Sequence, residues 1–115
     1  MIKRAEDRVK DQKKMFNGAG EARMLHILEA GEEMYNKGRV FNHLFLDPGC
    51  EIGWHIHHGD GETYYILKGR GLYNDNGTET EVGPGDVTFV DSGEGHALRN
   101  DGDEDLEAIA LILFK

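Results

Sequence analysis

Covalent staples are missing from this chain. Cys50 is its one cysteine, so no internal disulfide can form, a pattern that fits the reducing cytoplasm, where disulfides are rare. Proline is scarce as well, with two residues in 115. Both sit beside glycine, in Pro48-Gly49 and Gly83-Pro84-Gly85, where they punctuate turns. No stretch approaches the ~20 apolar residues of a membrane span, and the charged segment from Met1 to Lys14 lacks the apolar centre of a secretory signal. Positive charge is in deficit, 13 Lys and Arg against 22 Asp and Glu, for a formal net charge of -9. Such a surface repels phosphate backbones and anionic bilayers, which argues against nucleic-acid and membrane partners. An acidic small molecule remains compatible, because a bound metal inverts the local field.

Glycine, by contrast, is abundant. The chain has 16, where an average usage of about 7% would give about eight. They separate short apolar runs: Met24–Leu28, Arg39–Leu46, Ile52–His57, Glu62–Leu67, Gly71–Asn74, Thr78–Val82, Val87–Val90, His96–Asn100 and Leu106–Phe114. Runs this short, with turn signals about every 8–12 residues, predict an all-β barrel or sandwich. Asp75-Asn76-Gly77 supplies the residues that a tight hairpin turn requires. Residues 31–38 read as a surface loop or one helical turn. The expected organisation is an N-terminal arm over residues 1–22, either a strand packing on the barrel or on a partner chain, followed by one barrel domain over 23–115. A chain of this length closes a single core.

Five of the six histidines fall after residue 42, three of them between Trp54 and Gly59. His55 and His57 are two apart, and on a strand such residues share a face. Glu62 follows five residues later across Gly59-Asp60-Gly61, placed to return from the next strand to the same point. His96 lies far along the chain, where a barrel can bring it round. Neutral imidazoles with a carboxylate suit Fe, Mn, Co, Ni, Cu or Zn.

At these residues the chain resembles the cupin superfamily. Gly49, His55, His57, Glu62 and Gly69 stand at the spacing of its first motif, and Gly85, Gly93, His96 and Asn100 at that of its second, with Asp91 where the family usually has proline. The resemblance is to small single-domain cupins. It implies a double-stranded β-helix, or jelly roll, and one divalent ion held by His55, His57, Glu62 and His96. It also implies that the Asn42 and Leu44 face of its strand points inward.

Other candidates follow from strand parity. Tyr64, two residues after Glu62, shares its direction and is a candidate proton donor or substrate contact. Asn42, Leu44, Tyr64, Leu98, Ala108 and Ala110 are the expected pocket lining, the two alanines leaving room beside the metal. His58 alternates away from the site, His26 and His43 read as structural, and Cys50 as a small turn residue. Trp54 and Tyr65 are expected to face outward. A three-His, one-Glu site leaves positions open on a five- or six-coordinate ion. That suits a small-molecule enzyme of the dioxygenase, isomerase or lyase kind; the alternatives are a binding or sensing module for a small carboxylate or sugar, and a purely structural metal. The expected partners are a small-molecule ligand and a second copy of the chain, through Ile2, Trp54, Tyr65 and Leu67.

Overall fold

The structure, a computed structural model, describes all 115 residues. Its strands are β1 (Lys10–Lys13), β2 (Ala22–Leu28), β3 (Gly38–Leu46), β4 (Glu51–Ile56), β5 (Asp60–Lys68), β6 (Gly71–Asp75), β7 (Thr78–Val82), β8 (Val87–Val90), β9 (Gly95–Arg99) and β10 (Leu106–Phe114). Single 3-10 turns cover Ala5–Asp7 and Glu32–Met34. No helix is long and apolar enough to cross a membrane. All pairings between strands are antiparallel, in a six-stranded sheet ordered β1-β2-β3-β10-β5-β8 and a four-stranded sheet ordered β4-β9-β6-β7.

Alternation decides which side chains enter the space between the sheets. On β3 the inward set is Asn42, Leu44 and Leu46, and on β10 it is Leu106, Ala108, Ala110 and Ile112. Tyr64 and Ile66 join them from β5, with Ile52, Tyr73 and Leu98 from the opposite sheet. The Asn42 face is thus the inner one, and Phe41, His43 and Phe45 take the outer side. One end of this space is solid: Leu46, Ile66, Leu98 and Leu106 are essentially inaccessible. Asn100 seals it, donating from its amide to the carbonyls of Leu46 and Glu104 and accepting from the Gly102 amide. The other end is hollow.

The hairpin turn at Asn76 and Gly77 has the positive φ values that its residues foretold, 51° and 108°. The N-terminal strand is less legible. Residues 10–13 are nearly all polar, yet they form β1, paired with β2 of the same chain. An edge strand exposed on both faces needs no apolar alternation, so composition does not announce it.

Beyond β1 the arm crosses to the other sheet. Met15 bridges Ile52 in parallel, and the Gly53 amide donates to the Met15 carbonyl at 3.0 Å. Gly53 permits this approach: a Cβ there would lie 2.2 Å from the Phe16 carbonyl oxygen and 2.9 Å from the Gly18 nitrogen. Gly53→Ala is therefore expected to cost about 1–3 kcal/mol, read as a lower urea midpoint with faster amide exchange at residues 14–18. An unchanged midpoint and exchange pattern would show that the arm is not seated there.

Candidate metal centre

Three imidazoles and one carboxylate converge in the hollow end. His55 and His96 are opposite each other in the β4–β9 register. Ile52 pairs with Leu98 while His55 pairs with His96, so β4 carries one extra residue in this interval. That bulge at Gly53-Trp54 re-aims the strand, and the Trp54 indole covers Gly95 on the outside. His57 lies just past β4, held by its amide on the Glu94 carbonyl and its carbonyl on the Gly93 amide. Glu62 enters from β5. His58 turns out to solvent.

One ligand atom from each of His55, His57, Glu62 and His96 can be chosen so that all four lie within 4.8 Å of one another. His96 Nε2 is 3.1 Å from the Nε2 of both His55 and His57 and 3.0 Å from Glu62 Oε1, and His57 Nε2 is 3.3 Å from that oxygen. Adjacent donors on an octahedral ion with bonds of ~2.1 Å stand roughly 3 Å apart. The donor set thus fits a transition metal in both chemistry and spacing.

The outer nitrogens fix which ring atom faces inward. His55 Nδ1 lies 2.8 Å from the Gly53 carbonyl and His57 Nδ1 2.7 Å from Asp60 Oδ1. Both partners only accept, so each Nδ1 carries the proton and each neutral ring turns an Nε2 lone pair to the centre. His96 Nδ1 is 2.8 Å from the Tyr73 hydroxyl, and burial pushes that phenol up to about 12. Asp60 accepts in turn from Arg39 Nε at 2.8 Å. Phe16 stacks on His55 with ring centroids 3.8 Å apart, and Tyr64 on His96 at 5.2 Å.

Without a metal the charges are settled by protons. Burial alone would raise the Glu62 carboxyl, but the three imidazoles gathered around it, when they carry protons on their inner nitrogens, hold it well below the usual carboxylate range. The Glu62 and Asp60 carboxylates raise His57 against its burial, whereas burial lowers His96. Burial, reinforced by the Glu62 carboxylate, pushes the Tyr64 phenol well above its ordinary value, so it stays a neutral hydrogen-bond donor.

A cavity of about 590 Å³ opens beside this centre, lined by His55, His57 and Glu62 and by Asn42, Leu44, Tyr64 and Ala110. Leu98 and Ala108, expected in the lining, are not there and belong to the solid core. The reason is register. Ala108 stands between Leu44 and Ile66, which close over it, whereas Ala110 stands between Asn42 and Tyr64. Leu98 pairs with Ile52 and Tyr73 on the opposite sheet, deep in the filled end. His26, read from sequence as structural, does line the cavity.

Sequence reasoning missed Asp60, Arg39, Tyr73 and Phe16. Asp60 had a signal, three residues after His57 in the turn that precedes Glu62; the others reach the site through pairings that no local pattern announces. Asp91, in the position where proline is usual, has an account of its own. Its amide donates to the Glu94 carboxylate, a bond proline cannot make, and its carboxylate accepts from the Ser92 amide. The turn before His96 is therefore pinned by hydrogen bonds.

The model of the cupin domain family matches residues 42–112. Over 100 residues the chain is 46% identical to an oxalate-binding protein of Thermotoga maritima, covering 87% of this chain and 82% of that one. It superposes on the crystal structure of a predicted oxalate decarboxylase from Thermotoga maritima with a TM-score of 0.93 at 41% identity, over 100% of both chains. A Klebsiella pneumoniae protein with a double-stranded β-helix domain superposes at 0.72 with 22% identity, over 97% of this chain and 83% of that one, a likeness of fold alone.

Asp60→Asn removes the carboxylate that anchors the His57 ring. It is expected to weaken metal retention by about 10–100-fold, measured by competition with a chromogenic chelator at neutral pH. Retention equal to that of the unaltered protein would mean that His57 is oriented by something else.

Proposed function

Since the chain belongs to the cupin family, we propose that it binds a small carboxylate, oxalate foremost, on one divalent transition-metal ion held by His55, His57, Glu62 and His96. The observation that carries this reading is the position of the four donors, which converge with three of them, His55, His57 and Glu62, on the wall of an open cavity rather than in a sealed core. Four protein ligands leave up to two positions on a six-coordinate ion, enough for a chelating carboxylate, whereas a structural ion is fully enclosed by protein. When bound, the ion supplies Lewis acidity and the positive charge that an acidic protein otherwise lacks. The names of the Thermotoga relatives support oxalate as the ligand to test first.

A catalytic role rests on Tyr64. Its phenol lies beside Glu62 on the cavity wall and remains protonated at neutral pH. It can hold or pass a proton at an atom of the bound ligand, as a lyase, isomerase or dioxygenase requires. Tyr64→Phe would then abolish turnover of a bound carboxylate and leave metal content intact; equal turnover would leave binding as the function.

The expected metal is Mn, Fe, Co, Ni, Cu or Zn, at one per chain by elemental analysis. Replacing His55 and His57 together with Ala is expected to abolish that stoichiometry. Calorimetric binding of oxalate should appear with metal-loaded protein and vanish after chelation. Metal retained by the double variant, or oxalate binding indifferent to chelator, would refute the assignment.

We also infer a homodimer. Across three adjacent strands, β10, β5 and β8, the outer face of the six-stranded sheet is largely apolar, with Val87, Phe89, Tyr65, Leu67 and Leu113 all exposed. A contiguous patch of this kind marks an interaction surface. Trp54, which sequence suggested for the same contact, lies on the other sheet. Sedimentation velocity at micromolar concentration is expected to show a dimer, and Phe89→Asp a monomer; a monomeric unaltered protein would refute it.

A further inference from the structure

The inner wall of the six-stranded sheet carries polar groups that the metal reading leaves unused. Register sets His26 opposite Asn42, Asn42 opposite Ala110, and Ala110 opposite Tyr64, and all four line the cavity. Neighbouring strands are ~4.8 Å apart, so Asn42 and Tyr64 stand roughly 10 Å apart across the sheet, with only a methyl group between them. This is a slot floored by Ala110. Glu62 lies two residues before Tyr64 on the same face of β5, so the slot adjoins the metal centre.

Asn42 is the sharpest feature of the slot. It is only 6% exposed, yet no side-chain hydrogen bond ties its amide to the protein, and it faces the cavity. Its amide is left open to the cavity, in contrast with Asn100 at the solid end of the same fold, whose amide is tied to the backbone on both sides. At the end of the row His26 donates from Nδ1 to Glu29 at 2.7 Å, and its Nε2 lies 3.9 Å from the Asp11 carboxylate.

Charge selects among polar ligands. Two of the three cations on the cavity wall face a carboxylate, and the third, Lys14, belongs to the N-terminal arm. Lys13 is beside Asp11, Lys14 donates to the Gly18 carbonyl, and Arg39 donates to Asp60. The slot itself, the row His26, Asn42, Ala110 and Tyr64, holds hydrogen-bond donors and acceptors and no lysine or arginine, a surface for neutral hydroxyls rather than for a second carboxylate. Size agrees. The cavity of about 590 Å³ is far larger than a two-carbon dicarboxylate fills.

We propose that the natural ligand is a short-chain polyhydroxy acid. Its carboxylate occupies the four-ligand centre, and its hydroxylated chain lies over Ala110, hydrogen-bonded by Asn42 and reaching His26. This rests on the carboxylate reading given above and adds the specificity of the slot to it.

Calorimetry on the full-length, Mn-loaded protein tests it with glycolate, threonate and malate. All three share an α-hydroxy carboxylate; threonate adds hydroxyls and malate a second carboxylate. Threonate is expected to bind about ten-fold tighter than glycolate, the scale of one or two hydrogen bonds, and malate no tighter than glycolate. Asn42→Ala and Ala110→Val, each checked for metal content, are expected to bring the threonate-to-glycolate ratio near one. Threonate no better than glycolate, malate better than threonate, or a ratio that survives both substitutions would overturn the slot while metal-dependent glycolate or oxalate binding preserved the carboxylate site. No metal-dependent binding of any of these acids would overturn both.

Discussion

The structure depends on one electrostatic constraint: buried lone pairs that face each other need a cation between them. The Gly53 carbonyl and the Asp60 carboxylate accept hydrogen bonds from the Nδ1–H groups of His55 and His57, which commits both neutral rings to present Nε2 inward. Glu62 adds a carboxylate oxygen 3.0 Å from His96 Nε2. Such an arrangement in a low-dielectric wall repels itself unless positive charge fills the middle. In the metal-free protein shared protons do so, which is why Glu62 is held low and His57 is raised. A metal ion held there would do so by displacing them, and its affinity would fall as acid restored those protons.

The two sheets are built around this need. The solid end of the barrel, closed by Leu46, Ile66, Leu98 and Leu106, holds the sheets apart at a fixed spacing while the other end stays hollow. The difference between Ala108 and Ala110 shows how finely this is set. Both are small, inward-facing residues of β10. One is covered by Leu44 and Ile66, and the other lies open between Asn42 and Tyr64. Two residues along one strand separate core from cavity.

The N-terminal arm completes the hollow end. β1 extends the six-stranded sheet, and the segment after it crosses to β4, so the arm joins both walls of the cavity. The crossing puts Phe16 on the face of His55 with its backbone at φ 51°, an uncommon conformation for a bulky residue, and one that such a residue adopts only where its surroundings hold it. A histidine of the candidate metal centre is thereby steadied by the arm.

Much of this was legible in the sequence. Glycine spacing and alternation determined an all-β fold, and β7, β8 and β10 fall at the boundaries that the apolar runs mark. The two cupin motifs singled out His55, His57, Glu62 and His96 because ligand spacing on adjoining strands is local, and local spacing is what a sequence displays. The polar strand β1 was hidden, since its hydrogen bonds come from the backbone and its side chains face water. So were Arg39, Tyr73 and Phe16, whose roles arise from contacts across strands. The split between Ala108 and Ala110, and the open amide of Asn42, were decided only by tertiary structure. Strand parity tells which face a residue shares, but only the register of its neighbours tells whether that face is filled.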